Sequence, residues 1–153
     1  MHGHTYQGHA VGCAAALEIQ RIIHDGDLVK NCQHMGKLLG NLLRQALGEH
    51  PNVGDIRGRG LFWGIEFVRD KPTKEPFPPS DGVAMGICNM GLQSPYCIGV
   101  YPGTGTVDGV RGDHIIVSPA YNLVASDIEW IAKTLTELVV AFFATKTVGV
   151  DEE

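Results

Sequence analysis

The chain predicts an α+β fold, with one small antiparallel or mixed sheet covered by helices. Three features carry that expectation. Helical stripes of apolar residues occupy both ends. Two strand-length segments surround Gly58-Arg59-Gly60, and a second apolar pair lies on either side of a glycine-rich loop. The order is two helices, two strands, a helix, two strands and a helix.

The first helix is expected over 11–23, where Val11, Ala14, Ala15, Leu17, Ile19, Ile22 and Ile23 are apolar, and it is expected to be more buried at its start than at its end. Asp25-Gly26-Asp27 breaks it. A second helix, Leu28 to Leu47, carries Leu28, Cys32, Met35, Leu39, Leu42, Leu43 and Ala46 at three- and four-residue steps, forming one apolar stripe. Gly36 and Gly40 within it each cost about 1 kcal/mol against Ala, so a close neighbour is expected there. His50-Pro51-Asn52 ends the helix.

Residues 53–59 and 61–68 read as strands. In the second, Leu61, Trp63, Ile65 and Phe67 alternate with Phe62, Gly64, Glu66 and Val68, so both faces are largely apolar, as in a central strand. Four of the eight prolines fall in 71–80, a loop. Ser80 is the expected cap of a third helix bearing Val83, Ile87 and Met90. Residues 98–101 and 114–118 are the remaining strands. Ser126-Asp127-Ile128-Glu129 reads as a capping box for the last helix, with Ile128, Ile131, Leu135, Leu138 and Val139 at helical spacing. Residues 147–153 are an expected tail. Trp63 and Trp130 fall on apolar faces and are expected in the core.

The 153 residues fit one domain, and 44% hydrophobic with 19% charged residues is ordinary globular composition. A net charge of −5 with 12 scattered Lys and Arg residues argues against general nucleic-acid binding. No apolar run is long enough to span a bilayer. Polar residues and histidines follow Met1, which does not resemble a secretory signal. The four cysteines form no C-x-x-C, and reduced thiols in a cytoplasmic protein are the expectation.

The most informative stretch is Met1-His-Gly-His-Thr-Tyr-Gln-Gly-His-Ala-Val-Gly-Cys-Ala-Ala-Ala-Leu17. A hydroxyl and free backbone N–H groups ahead of a helix suit an anion, because unpaired donors and the helix dipole both favour negative charge. Small residues from Gly12 to Ala16 let the helix approach a packing surface closely. His2, His4, His9 and Cys13 could also be read as a metal cluster, but their spacing matches no usual finger, and His9 reads more simply as a hydrogen-bonding residue of the turn.

The stretch resembles the H-G-x-T-Y-x-G-H-P-x-x-x-A-A-A-L signature of class III aminotransferases, which use pyridoxal 5'-phosphate (PLP). Residues 53–68 resemble that family's V-x-D-V-R-G-x-G-L-M-x-G-I-E segment. Residues 103–121 resemble the G-D-H-x-x-x-A-P-P-x stretch of the ω-aminotransferase branch, and 127–138 its closing helix. Ala10 and Ala120 stand where the family usually has Pro.

The resemblance implies the C-terminal domain of a fold type I PLP enzyme. Residues 1–24 would be the Thr motif and the helix joining the large PLP domain, 25–146 the small domain and 147–153 the tail. It implies cofactor binding by His4 and Thr5, with Thr5 on the cofactor phosphate of the neighbouring subunit of a homodimer. It also implies an arginine that clamps the substrate carboxylate. Some relatives place that arginine three residues before Gly-Asp-His, where this chain has Gly109, and Arg111 is the candidate here. Solvated loop charge is the alternative.

In the family, the PLP aldehyde is held on a lysine as a Schiff base upstream of the Thr motif. Only four residues precede Thr5 and none is Lys, while Lys30, Lys37, Lys71, Lys74, Lys133 and Lys146 all lie downstream. The chain therefore reads as the C-terminal portion of an enzyme moving an amino group from an amine or amino acid to a 2-oxo acid. Alone it is expected to have no catalytic residue and no activity. A non-catalytic dimerisation or binding module, or a decayed gene product, is the alternative, and a racemase or aminomutase of the same family shares the fold and is not separated from a transaminase by this sequence.

Arg57 and Arg59 read as charges closing a sheet edge, or as substrate-facing. Gly103-Thr104-Gly105-Thr106 lacks the lysine of a Walker loop.

Overall fold

In a computed structural model, Gly3 and residues 5–147 are described. The elements are α1 (Ala10–Asp25), α2 (Leu28–Leu47), β1 (Val53–Arg59), β2 (Phe62–Phe67), α3 (Val83–Gly91), β3 (Tyr101–Gly103), β4 (Asp113–Val117) and α4 (Ala125–Thr147). The strands form one antiparallel sheet in the order β1-β2-β4-β3. The expected α+β architecture is present, with one refinement: the helices cover a single face of the sheet.

Register explains which face. Ile56, Ile65 and Ile115 lie side by side across three strands, as do Gly58, Trp63 and Val117. These rows turn inward. Ile65 and Ile115 are fully buried against Leu39, Leu43 and Leu47 of α2, Val83 and Ile87 of α3, and Ile128, Leu135 and Leu138 of α4. Each such side chain contributes about 1.5–3 kcal/mol by leaving water. Phe143 joins Phe67, Phe77 and Phe142 at centroid distances of 5.8, 5.8 and 5.3 Å, closing one end of the core.

The opposite rows, Arg57-Gly64-Ile116-Tyr101 and Asp55-Glu66-His114-Gly103, have no helix over them among the described residues. Phe62 is 58% and Tyr101 71% exposed. On the second face of β2, Phe62 is therefore bare, whereas Val68, on the same alternating row just past the strand, is 1% exposed.

Glycine sets the fit of α2. A Cβ on Gly36 would stand 1.9 Å from the Gly60 carbonyl oxygen, and one on Gly40 2.2 Å from the Trp63 ring. The helix therefore rests directly on the β1–β2 turn, as the two interior glycines suggested.

Four local expectations need correction. The strand expected over 98–101 begins only at Tyr101 and runs three residues along the sheet edge, where Pro102 is tolerated because one side has no ladder to complete. Ser80 does not cap α3. A 3₁₀ turn (Pro79–Asp81) and Gly82, at φ +54°, lead into it, and its Ala84 N–H donates to Asp113 Oδ1 of β4 at 3.0 Å. The α4 cap lies two residues earlier than expected. The Val124 N–H donates to Asp127 Oδ2 at 3.0 Å, and Ser126 sits inside the first turn. Trp130 is 52% exposed on the outer side of α4, whereas Trp63 is buried.

Helix α1 contains no buried residue, and Val11, Leu17, Ile19 and Ile22 are all more than half exposed. It begins and breaks where expected, with Gly26 closing it and Asp27 opening α2, but the expected greater burial at its start is absent: residues 10–22 are exposed, and the half-buried Ile23 lies near its end, where α2 follows. The expected tail lies outside the described residues beyond Thr147, which still belongs to α4. No helix among the described residues is long and apolar enough to cross a membrane.

Candidate cofactor-phosphate and substrate-carboxylate site

Thr5 stands in a tight turn over residues 5–8, closed by the His9 N–H donating to the Tyr6 carbonyl at 3.1 Å. Gly8 adopts φ +77°, a left-handed conformation that bends the chain into α1 without the strain a side chain would add. The first bond of the helix runs from Cys13 N–H to the His9 carbonyl at 2.9 Å. The N–H groups of Ala10, Val11 and Gly12 have no partner among the described residues, as expected of an uncapped first turn.

Thr5 is exposed and its hydroxyl has no protein partner among the described residues. The His9 ring meets Tyr6 edge-on at 6.4 Å and makes no cap bond, so His9 supports the turn through its main chain. Tyr6, Gly8, Gly12, Cys13 and Ala16 line a concavity of about 540 Å³ beside the turn. The first acidic residue of the chain is Glu18.

A free hydroxyl, unpaired N–H donors, a helix dipole and a concavity with no carboxylate in its lining fit a phosphate group. His2 and His4 lie outside the described residues. Among those described, no three His, Cys, Asp or Glu side chains converge as metal ligands, and all four cysteines are free.

Arg111 lies in the β3–β4 loop, which is ordered by a carboxylate. Asp108 Oδ1 accepts the N–H groups of Val110 and Arg111 at 3.0 and 2.7 Å, and Oδ2 accepts Arg111 Nε at 2.7 Å. Gly105, Gly109 and Gly112 supply the positive φ angles the loop needs. This pairing engages the inner edge of the guanidinium and leaves its terminal nitrogens without a hydrogen-bond partner among the described residues, with the Glu75 carboxylate acting on the group only through space. That terminal fork has the shape to hold a carboxylate.

The Arg111 N–H, the Arg111 side chain and the Val110 N–H together hold Asp108 down to about 2, from 3.8. A carboxylate lowered by folding supports the fold above its unfolded value and loses that support as pH falls through its folded value. The loop clamp should therefore persist at pH 4 and fail toward pH 2. Carboxyl-carbon NMR should place the Asp108 midpoint near 2. Arg111→Ala should raise it only in part, because both backbone donors remain. A midpoint at the ordinary aspartate value would mean the clamp does not form in solution.

Arg57 is paired on the open sheet face, its Nη1 donating to Glu66 at 2.5 Å and Asp55 at 3.0 Å, which matches a charge at a sheet edge. The Arg59 side chain has no ion-pair or hydrogen-bond partner among the described residues, while its backbone pairs with Phe62. Gly103 ends β3, and Thr104 to Thr106 open the Arg111 loop without leading into a helix.

Most lysines are engaged. Lys71 donates to the Gly48 and His50 carbonyls, Lys74 to that of Gly54 and Lys146 to that of Asp81. Lys30 pairs with Asp27 at 3.3 Å and Lys133 with Glu137 at 3.9 Å.

A four-stranded antiparallel sheet with helices on one face, preceded by a phosphate-suited turn and an uncovered helix, defines the small domain of a fold type I transaminase. The chain belongs to the class-III aminotransferases, whose family model matches residues 1–102. It is 58% identical over 139 residues to an aminotransferase of Gibberella zeae, covering 91% of this chain and 27% of that protein. Among solved structures, a transaminase from ancestral reconstruction superposes with a TM-score of 0.81 at 28% identity, over 94% of this chain and 30% of that one. An amine transaminase from an uncultivated Pseudomonas species, solved in its PLP-bound form, superposes with a TM-score of 0.73 at 30% identity, over 95% and 30%. The chain thus spans about a third or less of the relatives it matches.

Proposed function

We propose that the protein containing this chain is a PLP-dependent aminotransferase, moving an amino group from an amine or amino acid to a 2-oxo acid in a cytoplasmic homodimer. PLP supplies the electron sink for that chemistry when bound. The single observation that carries the reading is the Thr5 turn, with its unpartnered hydroxyl and uncapped N–H groups opening a helix that contains no buried residue and leaves Val11, Leu17, Ile19 and Ile22 more than half exposed.

In this reading Thr5 donates its hydroxyl to the cofactor phosphate across the subunit boundary, and His4 flanks it. The Arg111 fork orients the substrate carboxylate. Helix α1 and the bare sheet face, with Phe62 and Tyr101, pack against the remaining two thirds of the enzyme as it occurs in relatives.

The test compares two forms. The 153-residue chain alone should show no violet absorbance band with PLP, no borohydride-stable adduct and no transamination. A longer form including the portion its relatives share should bind PLP. There Thr5→Ala should weaken PLP binding by roughly 10- to 100-fold, the loss of one hydrogen bond to a charged group. Turnover by the short chain, with a PLP adduct on a single lysine, would overturn this reading. Unchanged PLP affinity in Thr5→Ala would remove Thr5 from the site.

A further inference from the structure

We propose a second anion site, for a compact phosphoanion, between α2 and the β1–β2 turn. Gln33, Lys37 and Asn41 recur at four-residue steps and share one stripe of α2. Arg44 continues it one turn later. Because Gly36 and Gly40 let the helix rest on the turn, Arg59 is brought alongside this stripe. The residues enclose a concavity of about 330 Å³ floored by Trp63, and no carboxylate lines it.

Its cations are poised rather than spent. The Arg44 guanidinium lies 4.7 Å from the centre of the Trp63 ring, and its Nε donates to the Ile56 carbonyl at 3.3 Å. Trp63 Nε1 in turn donates to the Gly60 carbonyl at 2.8 Å, fixing the turn that carries Arg59. Arg44 is thus held in place with its terminal nitrogens unpaired. The side chains of Lys37 and Arg59 have neither ion-pair nor hydrogen-bond partner among the described residues. Elsewhere Arg21, Lys30, Arg57, Arg111 and Lys133 each face a carboxylate. Three converging cations in a chain of net charge −5 are a local reversal of sign.

The chemistry selects the ligand class. Three positive groups and two side-chain amides exceed what one carboxylate can use, and they match the charge and acceptor count of phosphate or diphosphate. A single small hollow on an acidic chain does not suit nucleic acid. Trp63 is buried under Arg44, so no ring is free for base stacking. The site shares no residue with the Thr5 turn and does not depend on the function proposed above.

Pyrophosphate and, separately, inorganic phosphate are titrated into the full ¹⁵N-labelled chain at constant ionic strength. One saturable event is expected, with shifts confined to the side-chain amides of Gln33 and Asn41, the N–H groups of 58–60 and Arg Nε–H. Tighter binding of pyrophosphate assigns two adjacent phosphoryl groups, and equal binding assigns one. Lys37→Gln with Arg59→Gln should weaken binding roughly tenfold or more without moving the melting temperature, since both side chains are exposed. Lys37→Gln alone should show an intermediate loss, and Thr5→Ala none. An equal response to chloride, shifts centred on residues 5–12, or wild-type affinity in the double variant would each overturn the proposal.

Discussion

Gly36→Ala should destabilise the protein by about 2–3 kcal/mol or more, although alanine is the better helix former. The propensity gain is only about 0.5–1 kcal/mol. Against it stands a new methyl group 1.9 Å from the Gly60 oxygen and 2.3 Å from its carbonyl carbon. The obstacle is main chain in a turn at φ +55°, pinned by the Trp63 indole, so no flexible side-chain end can swing aside. Overpacking a core typically costs about 1–3 kcal/mol, and a backbone contact lies at the upper end. Relief requires lifting α2, which would also loosen Leu39 and Leu43 from the sheet. Urea unfolding should show a lower midpoint with an unchanged slope. Gly12→Ala is the control: it is helical with nothing within 4 Å, so it should be neutral or stabilising in this chain. Equal midpoints for the two variants would mean that α2 does not rest on the turn.

That contact also shows what the sequence could carry. Two glycines inside a strong apolar stripe announce a close approach, because a helix accepts their penalty only where a side chain would collide. The partner surface was not legible, since the Gly60 turn becomes a neighbour only once β1 and β2 have paired. Alternation in 61–68 likewise revealed the buried row of Trp63, Ile65 and Phe67. It could not reveal that Phe62 of the other row lies bare while Val68 is buried, because an apolar residue awaiting a covering surface reads the same as one already covered. Trp130 misled for that reason: an apolar residue at helical spacing can lie outside the stripe that faces the core.

The candidate site divides the same way. Thr5 was legible as a candidate because the features that suggest it are local: a hydroxyl, a glycine turn and a helix start are contiguous. Arg111 was legible as a residue but not as a geometry. Its Asp108 clamp spans three residues, a spacing that in a glycine-rich loop is a usable signal. The cluster of Lys37, Arg44 and Arg59 was not legible, since its members belong to a helix and a turn joined only by tertiary packing.

Asp113→Ala should cost roughly 2–4 kcal/mol, and Asp113→Asn clearly less. Asp113 is 4% exposed, and its carboxylate accepts the N–H of Ala84, itself fully buried, at the start of α3. Removing the acceptor strands a buried donor, worth about 1–3 kcal/mol. It also removes a negative charge from a helix N-terminus, worth about 0.3–1 kcal/mol. Asparagine keeps an acceptor and surrenders only the charge. A general loss of stability would not distinguish a cap from ordinary packing, so the decisive readout is local. Amide exchange at Ala84 and the first turn of α3 should accelerate in the alanine variant beyond the global change, and remain near wild type in the asparagine variant. Identical exchange in both would refute the cap. The Gly112-Asp113-His114 triplet then acquires a structural account: Gly112 turns the chain at φ +106°, Asp113 points inward to anchor α3, and the His114 ring lies over Gly103 on the bare face. The triplet thereby locks β4 to α3 at the base of the loop that presents Arg111, so loosening Asp113 should also displace the proposed carboxylate clamp.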